Sequence, residues 1–454
     1  MFASRPRQPR TAPPSSSRQG KAVVLGGSLT GLLAAHVLAR HFADVVIVDR
    51  DALDVDLDQP RRGVPQGRHT HGLLVGGLQA MEDLLPGLTS GLVARGGLSG
   101  DVVARARWHL GGGSLRQFTS GLSGMLASRT LIESEVRRRV VATPEISLLG
   151  GHDIVSLLAS KDRSQVIGVQ VARRDTRPHP TGDGPASIGS RTLDVLADVV
   201  VDATGRGSRA PAWLADLGYP APPETVVPAD ITYVTRLFHA RQGVLDELDA
   251  DVIGTNPPDP RGGVALRQEA DRWTLTLAGM HGLRPPTELD QFIAYAADLP
   301  TPGLAQIARE CSPIGDAMVY RFPASRWRRW EKVSRRPLGL LMIGDAVCSF
   351  NPVYGQGMSS AAQQALALAT LLQDGSHDLP RLAAKVFAHV VAVPWALATG
   401  SDRRYPGQAP KRLPEKLLDR YLDRLLRVAR GFPLVSWRHP LRGRPRDGRD
   451  EAQV

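Results

Sequence analysis

The sequence predicts an α/β protein: a parallel-sheet nucleotide-binding domain, an antiparallel sheet inserted into it, and a helical segment after it. Three observations carry that expectation. Near the start, a strand over residues 22–25 runs into the turn Gly26-Gly27-Ser28-Leu29-Thr30-Gly31, an Ala/Leu helix over 32–41 and a second apolar strand over 45–48. Far along the chain, an apolar strand over 338–343 is followed by Gly344-Asp345-Ala346, a Pro/Gly loop and an Ala/Leu/Gln helix over 359–372. Between the two, after Pro228, the pattern changes to alternating apolar and polar residues, the period of half-buried strands.

The first segment has the order of a βαβ unit that binds a dinucleotide. Asp49 follows Gly31 by 18 residues, close to the roughly 20 at which a carboxylate reaches an adenine-linked ribose. Ser28 stands where the usual fingerprint has its middle glycine; it is small enough for a pyrophosphate to approach, and its hydroxyl can donate. The last segment places Asp345 at the C-terminal end of a strand, where a carboxylate can bind sugar-like hydroxyls. Bare N–H groups at the following helix N-terminus can stabilise negative charge. An ordinary strand–loop–helix connection is the alternative for that segment alone.

Between these ends, residues 58–72 gather Arg61, Arg62, Arg68, His69 and His71 in one loop, a density expected of a loop crossing an anionic cofactor. No Cys, Asp or Glu stands at ligand spacing from His69 and His71, so no metal site is expected; a flavin- or substrate-facing role and a structural pair both stay open. Helices are expected over 73–85 and near Leu92, and a hairpin over 102–110 and 114–118. A helix opens after Ser128 and ends in Arg137-Arg138-Arg139, read as a solvated last turn. Short strands follow over 146–149, 153–158 and 166–172, and residues 182–190 read as a surface loop. The strand ending at Asp202 runs into Thr204-Gly205-Arg206-Gly207-Ser208, a turn that either approaches the cofactor or is a plain connection.

The alternating strands over 231–239, 263–267, 273–279 and 317–322 are expected to roof a cavity, with Phe238, Trp273, Tyr320 and Phe322 either in the core or on the substrate. The chain re-enters the first domain near Leu338. The nucleotide domain is thus expected over residues 21–101, 119–226 and 335–400, the substrate domain over 102–118 and 227–334, and a helical segment with a basic tail over 401–454. Apolar residues at helical spacing over 413–428 predict a helix packed on the body, with a membrane-surface role open through its basic face.

At 454 residues the chain suits several structural units around a large core. No run of about 20 apolar residues predicts a membrane span. Residues 1–20, rich in Arg, Pro and Ser, read as a disordered leader. Cys311 and Cys348 are the only cysteines, which excludes a disulfide scaffold and, with no secretory signal, points to the cytoplasm. Residues 1–21 carry five basic side chains and no acid, and residues 411–454 carry twelve basic and six acidic, so the two tails account for the whole net charge of +11. The body between them is formally neutral, which argues against nucleic-acid binding.

With these residues in view, the chain resembles the FAD-dependent monooxygenases of the para-hydroxybenzoate hydroxylase fold, nearest to actinobacterial epoxidases of polyether biosynthesis and more distantly squalene epoxidase. The resemblance runs from about Lys21 to Gly400. Its most specific parts are Gly63-Val64-Pro65-Gln66-Gly67-Arg68-His69-Thr70-His71, Val201-Asp202-Ala203-Thr204-Gly205-Arg206-Gly207-Ser208, and Gly344-Asp345-Ala346 with Phe350-Asn351-Pro352-Val353-Tyr354-Gly355-Gln356-Gly357-Met358. It implies a Rossmann-type FAD-binding domain in which Gly26, Gly27, Ser28, Leu29, Thr30 and Gly31 hold the pyrophosphate and Asp49, with Arg50 beside it, the adenosine ribose. Arg62 and Arg129 would contact phosphate or ribityl oxygens, and Val155 would frame the adenine. Asp345 would take the ribityl chain, with Pro352, Gly355, Gly357 and Met358 beside the pyrimidine end of the flavin. Gln356 stands where the polyether epoxidases often carry histidine, which leaves epoxidation itself open.

The same resemblance implies oxygen insertion through a flavin C4a-hydroperoxide into a lipophilic secondary-metabolite substrate, by epoxidation or hydroxylation, with no obligatory catalytic side chain. No second Gly-rich βαβ unit is present, so NAD(P)H would act directly but transiently or through a flavin reductase partner. Halogenase chemistry is disfavoured: no lysine occurs between Lys21 and Lys161, and Trp327-Arg328-Arg329-Trp330 does not match the halogenase motif. A reductase of polyprenyl-type double bonds and a cyclase using FAD as a scaffold remain as alternatives. The apolar positions Ile231, Val234, Leu237, Leu275 and Leu277 are expected to face either an apolar substrate or the protein's own core.

Overall fold

The computed structural model describes residues 20–53, 59–174, 192–375, 378–405 and 413–431. The leader expected before Gly20, the loop over 182–190 and the basic tail beyond residue 431 lie outside the described residues.

Short β-branched runs form a five-stranded parallel sheet in the order Leu340–Met342, Val199–Asp202, Lys21–Leu25, Asp44–Val48 and Ile146–Leu149. Its central strands are apolar at nearly every position because both faces are covered, as a parallel sheet requires. Helices Leu29–Leu38, Arg129–Val141 and Gln356–Gln373 and the antiparallel strands His152–Ala159 and Val166–Arg173 contribute to the same core. Strands from both ends of the chain lie in this one sheet, so the turns after Leu25 and Met342 emerge on the same edge.

The second sheet has eight strands, in the order Cys348–Ser349, Pro313–Arg328, Glu224–His239, Arg272–Gly279, Arg261–Gln268, Ala250–Ile253, Ala106–Leu110 and Gly113–Ser114. All its pairs are antiparallel except Ala250–Ile253 with Ala106–Leu110, which is parallel. The expected hairpin is present but shorter than its pattern. Side chains alternate across this sheet. Val234, Phe238, Trp273, Leu275 and Leu277 face helices Leu289–Ala297 and Gly303–Glu310, where Phe292, Leu304 and Ile307 complete a separate core. Tyr233, Thr276, Ala278, Tyr320 and Phe322 face the opposite way, into a cavity. Of the apolar positions expected to form one face, Val234, Leu275 and Leu277 meet the protein's own core, while Ile231 packs on the other face with Tyr233, Ala278 and Phe322.

The first of the two C-terminal helices departs from expectation. Helix Leu379–Asp402 is long and apolar enough to cross a membrane, with a mean hydropathy of 1.5. Its Phe387, Val391, Trp395 and Ala398 pack into the main core, which accounts for that composition. Helix Leu413–Gly431 is tied to the body by Arg403–Glu415 and Arg404–Asp423 ion pairs and by Arg430, which donates to the Leu110 and Gly111 carbonyls. Its acidic side is thus turned inward, while Leu417 and Tyr421 are 54% and 63% exposed. Packing on the body is achieved by charge and by one end of the helix.

Arg137 corrects another expectation. It is 2% exposed, because its guanidinium donates to the buried Glu133 carboxylate one turn earlier; Arg138 alone of the triplet is largely exposed.

Candidate active site

The strand ends of the parallel sheet and the inner face of the eight-stranded sheet enclose a cavity of about 2130 Å³. Pockets for one small ligand run to about 300–1,000 Å³, so this one has room for a cofactor and a substrate together.

At one end, the strand Lys21–Leu25 stops at Gly26, whose φ is +98° and where a Cβ would lie 2.8 Å from the Ala203 carbonyl oxygen. At Gly31 a Cβ would overlap the Gly26 carbonyl oxygen, so the first helical turn sits against the loop only without a side chain. Ser28 does not cap helix Leu29–Leu38; its hydroxyl donates to Glu133 at 2.9 Å and accepts from Arg129 at 3.0 Å. The leading N–H groups are left for the cavity, which Gly26, Ser28, Leu29 and Thr30 line. Asp49, 9% exposed, accepts the Gly27 N–H at 2.6 Å on one oxygen and the Asp51 N–H at 2.8 Å on the other. It locks the turn to the second strand and, with Arg50, edges the cavity.

Under this turn lies Glu133, paired with Arg61 at 2.5 Å, Arg137 at 2.8 Å and Arg129 at 3.4 Å. Burial alone would raise the Glu133 carboxyl, but Arg129, Arg61 and Arg137 together hold it below its ordinary value. Arg61 also donates to the Gly27 carbonyl at 3.2 Å.

At the other end, Asp345 follows strand Leu340–Met342 and lines the cavity with no hydrogen-bond partner among the described residues. Burial pushes its carboxyl up, against the pull of Arg206, Arg129 and Arg328. The following loop is held by buried Asn351, which accepts from the Val353 N–H at 3.2 Å and the Tyr233 hydroxyl at 3.3 Å. Asn351 and Tyr354 both donate to Asp402, at 3.0 and 2.8 Å, tying the loop to the end of the long helix; burial raises the Asp402 carboxyl to about 6. Gly355, at φ +63°, then starts helix Gln356–Gln373 with no side-chain cap, and a Cβ on Gly357 would meet only open space. Pro352, Gly355, Gly357 and Met358 line the cavity here.

The structure thus brings Gly26, Ser28, Leu29, Thr30, Asp49, Arg50, Arg129, Asp345, Pro352, Gly355, Gly357 and Met358 around one cavity. Gly27 and Gly31 lie behind the turn. Arg62 is exposed and outside the cavity, because the bend at residues 61–64 turns Arg61 inward instead. Val155 is 37% exposed, while His152, Asp153 and Ile154 reach the cavity. Asp202 is fully buried and spent on its own turn, accepting from Thr204 and Ser208; Gly205 and Arg206 of that turn do reach the cavity. Sequence reading missed Glu133, although Arg129, Glu133 and Arg137 stand at four-residue spacing on one helix face.

These groups fit FAD. Two uncapped helix N-termini open into one cavity, suited to a diphosphate and to the negative edge of a reduced flavin. The Asp345 carboxylate, which has no hydrogen-bond partner among the described residues, suits sugar-like hydroxyls, and Arg129, bonded to Ser28, lines the cavity.

The architecture is that of flavin-dependent monooxygenases. The structure of PqsL from Pseudomonas aeruginosa, described as a probable FAD-dependent monooxygenase, superposes with a TM-score of 0.61 at 18% identity, covering 85% of this chain and 98% of that one. The Diels-Alderase PyrE3 of pyrroindomycin biosynthesis shares the fold at a TM-score of 0.56 and 18% identity, covering 91% and 78%. No protein-family model matches the chain. Over 361 residues the chain is 34% identical to Protein Rv3254 of Mycobacterium tuberculosis, covering 76% of this chain and 71% of that protein, and it belongs to the same family. Kynurenine 3-monooxygenase of Salinispora tropica is 25% identical over 376 residues, covering 77% of this chain and 72% of that protein.

Proposed function

We propose that this chain, an FAD-dependent oxidoreductase, is a monooxygenase that inserts one oxygen atom into a lipophilic substrate held beside the flavin. The observation that carries this reading is a single cavity with two uncapped helix N-termini and a partnerless carboxylate at its inner wall, and with volume to spare for a second molecule. FAD, when bound and reduced, supplies the activation of dioxygen.

The chain's own residues bind and orient. The N–H groups at Ser28–Thr30 and the Arg129 guanidinium hold diphosphate oxygens, and Asp345 accepts from the sugar-like chain. The N–H groups of Gln356, Gly357 and Met358 stabilise negative charge on the nearby ring edge. Away from these groups much of the wall is apolar, through Trp108, Leu126, Val252, Val264, Leu266 and Phe350, which suits an apolar substrate. That lining supports an uncharged substrate such as a polyketide or terpenoid alkene, in place of Val234, Leu275 and Leu277, which face the core. No lysine lines the cavity among the described residues. NAD(P)H, directly or through a flavin reductase, is the proposed electron source.

Oxygen uptake by the purified yellow protein, given reductant and a panel of alkenyl lipids, small phenols and anionic aromatics, tests the reading. Uptake coupled to an oxygenated lipid is expected. Coupling only to a small charged aromatic would replace the lipophilic substrate with a phenol-type one. A product gaining two hydrogens, or none, would favour the reductase or the cyclase.

A further inference from the structure

The loop Arg68–His71 crosses the inner face of the eight-stranded sheet, and its polar groups meet Thr235, Thr276 and Gln268 of that face. His69 Nδ1 lies 2.7 Å from Thr235 Oγ1, Thr235 lies 2.6 Å from Thr276 Oγ1, and Thr276 lies 2.5 Å from Thr70 Oγ1. Thr235 is fully buried and Thr276 nearly so. The imidazole ring sits 5.5 Å from the Tyr320 ring and 6.5 Å from the Tyr233 ring, which stand opposite each other on neighbouring strands of that face. Burial and the neighbouring Arg68 lower His69 to about 4, so the ring is neutral at pH 7.

A neutral imidazole has one donor and one acceptor. Its Nδ1 is used by Thr235. Its Nε2 has no protein partner among the described residues, and His69 lines the cavity. The two tautomers correspond to the two directions in which the hydroxyl chain can donate. If Thr70, Thr276 and Thr235 donate in turn toward Nδ1, Nε2 carries the proton and donates. If the chain runs the other way, Nε2 accepts. A polar atom anchored in this way costs affinity for any ligand that buries it and leaves it unpaired.

We propose that His69 is a specificity-determining residue that hydrogen-bonds, through Nε2, a hydroxyl group on an otherwise apolar substrate. A hydroxyl both donates and accepts, so it satisfies either tautomer. The inference rests on the reading of this cavity as the seat of a lipophilic substrate beside FAD, and it narrows that substrate to an amphipathic alcohol or phenol.

The test compares 4-pentylphenol with pentylbenzene as probes, read by perturbation of the bound flavin's absorbance in the holoenzyme, with FAD content measured in the same samples. Comparing the ratio of the two dissociation constants between variants cancels the probes' difference in hydrophobicity. The ratio favouring the phenol is expected to fall about tenfold in His69→Ala, the weight of one hydrogen bond. It should be partly restored in His69→Gln, while the affinity for pentylbenzene is unchanged. Thr235→Val, which removes the anchor but not the ring, should lower the ratio less. An unchanged ratio in His69→Ala, an equal loss for both probes at full FAD content, or no binding of the phenol by wild type would overturn the proposal. Colourless wild-type protein would instead fail the FAD reading on which it rests.

Discussion

The two ends of the cavity's inner wall are built on the same plan, a strand, a glycine-containing turn and an uncapped helix, yet their carboxylates behave in opposite ways. At the Gly26 end, Asp49 is engaged on both oxygens by backbone N–H groups, and Glu133 beneath it is engaged by three arginines. At the Asp345 end the carboxylate has no partner among the described residues and its protonation is favoured by burial. The carboxylates of one end are satisfied by the protein itself; the carboxylate of the other is completed only by a ligand with hydroxyls to donate. Removing a carboxylate should therefore damage folding at the first end and cofactor binding at the second.

The strongest break is expected at Gly31. Gly31→Val forces a side chain onto the Gly26 carbonyl, which must shift the turn, so the purified protein should be colourless. A yellow variant with unchanged flavin content would remove the Gly turn from the account. Glu133→Ala comes next: stranding Arg61, Arg129 and Arg137 should cost about 3–5 kcal/mol of stability, measured by denaturant unfolding of flavin-free protein. The paired comparison follows. Asp345→Ala should weaken FAD by about 1.5–3 kcal/mol, roughly ten- to a hundredfold in Kd, without destabilising the flavin-free fold. Asp49→Ala should destabilise that fold by about 1–3 kcal/mol by orphaning two N–H groups. Equal effects of the two on flavin-free stability would erase the contrast.

The smallest effect is the sign of the pH dependence. Glu133 is held below its ordinary value, so its contribution is present above the usual Glu range of about 4.3 and is lost as pH falls through and below it. Asp345 is raised, so its contribution is full below the usual Asp range of about 3.9 and is lost as pH rises through it. In flavin-free protein Glu133→Gln should flatten the acid limb of a melting-temperature profile, and Asp345→Asn should raise the melting temperature at neutral pH.

Much of the nucleotide end was legible because its chemistry is local: at each end a strand, glycines, an acid and a helix stand in one continuous segment, Lys21 to Asp49 and Leu340 to Gln373. What the pattern could not give was direction. Arg61 and Arg62 are neighbours, and only the bend at residues 61–64 decides which faces Glu133. The alternation in the eight-stranded sheet marks two faces but not which one meets the cavity; helices Leu289–Ala297 and Gly303–Glu310, unanticipated from the pattern, claim the Val234–Leu277 side. The pattern left open whether the turn after Asp202 approaches the cofactor; Thr204 and Ser208, two and six residues on, take both Asp202 oxygens, while Gly205 and Arg206 reach the cavity. The Asn351–Asp402 tether and the Thr235–Thr276 pair join residues far apart in sequence, and neither leaves a local signature.

The most direct test of the central claim is the mass of the product formed from an alkenyl lipid by FAD-loaded protein under isotopically labelled dioxygen with a reductant. The account predicts a product carrying one labelled oxygen atom. A product without label, whether hydrogenated or merely rearranged, would contradict it.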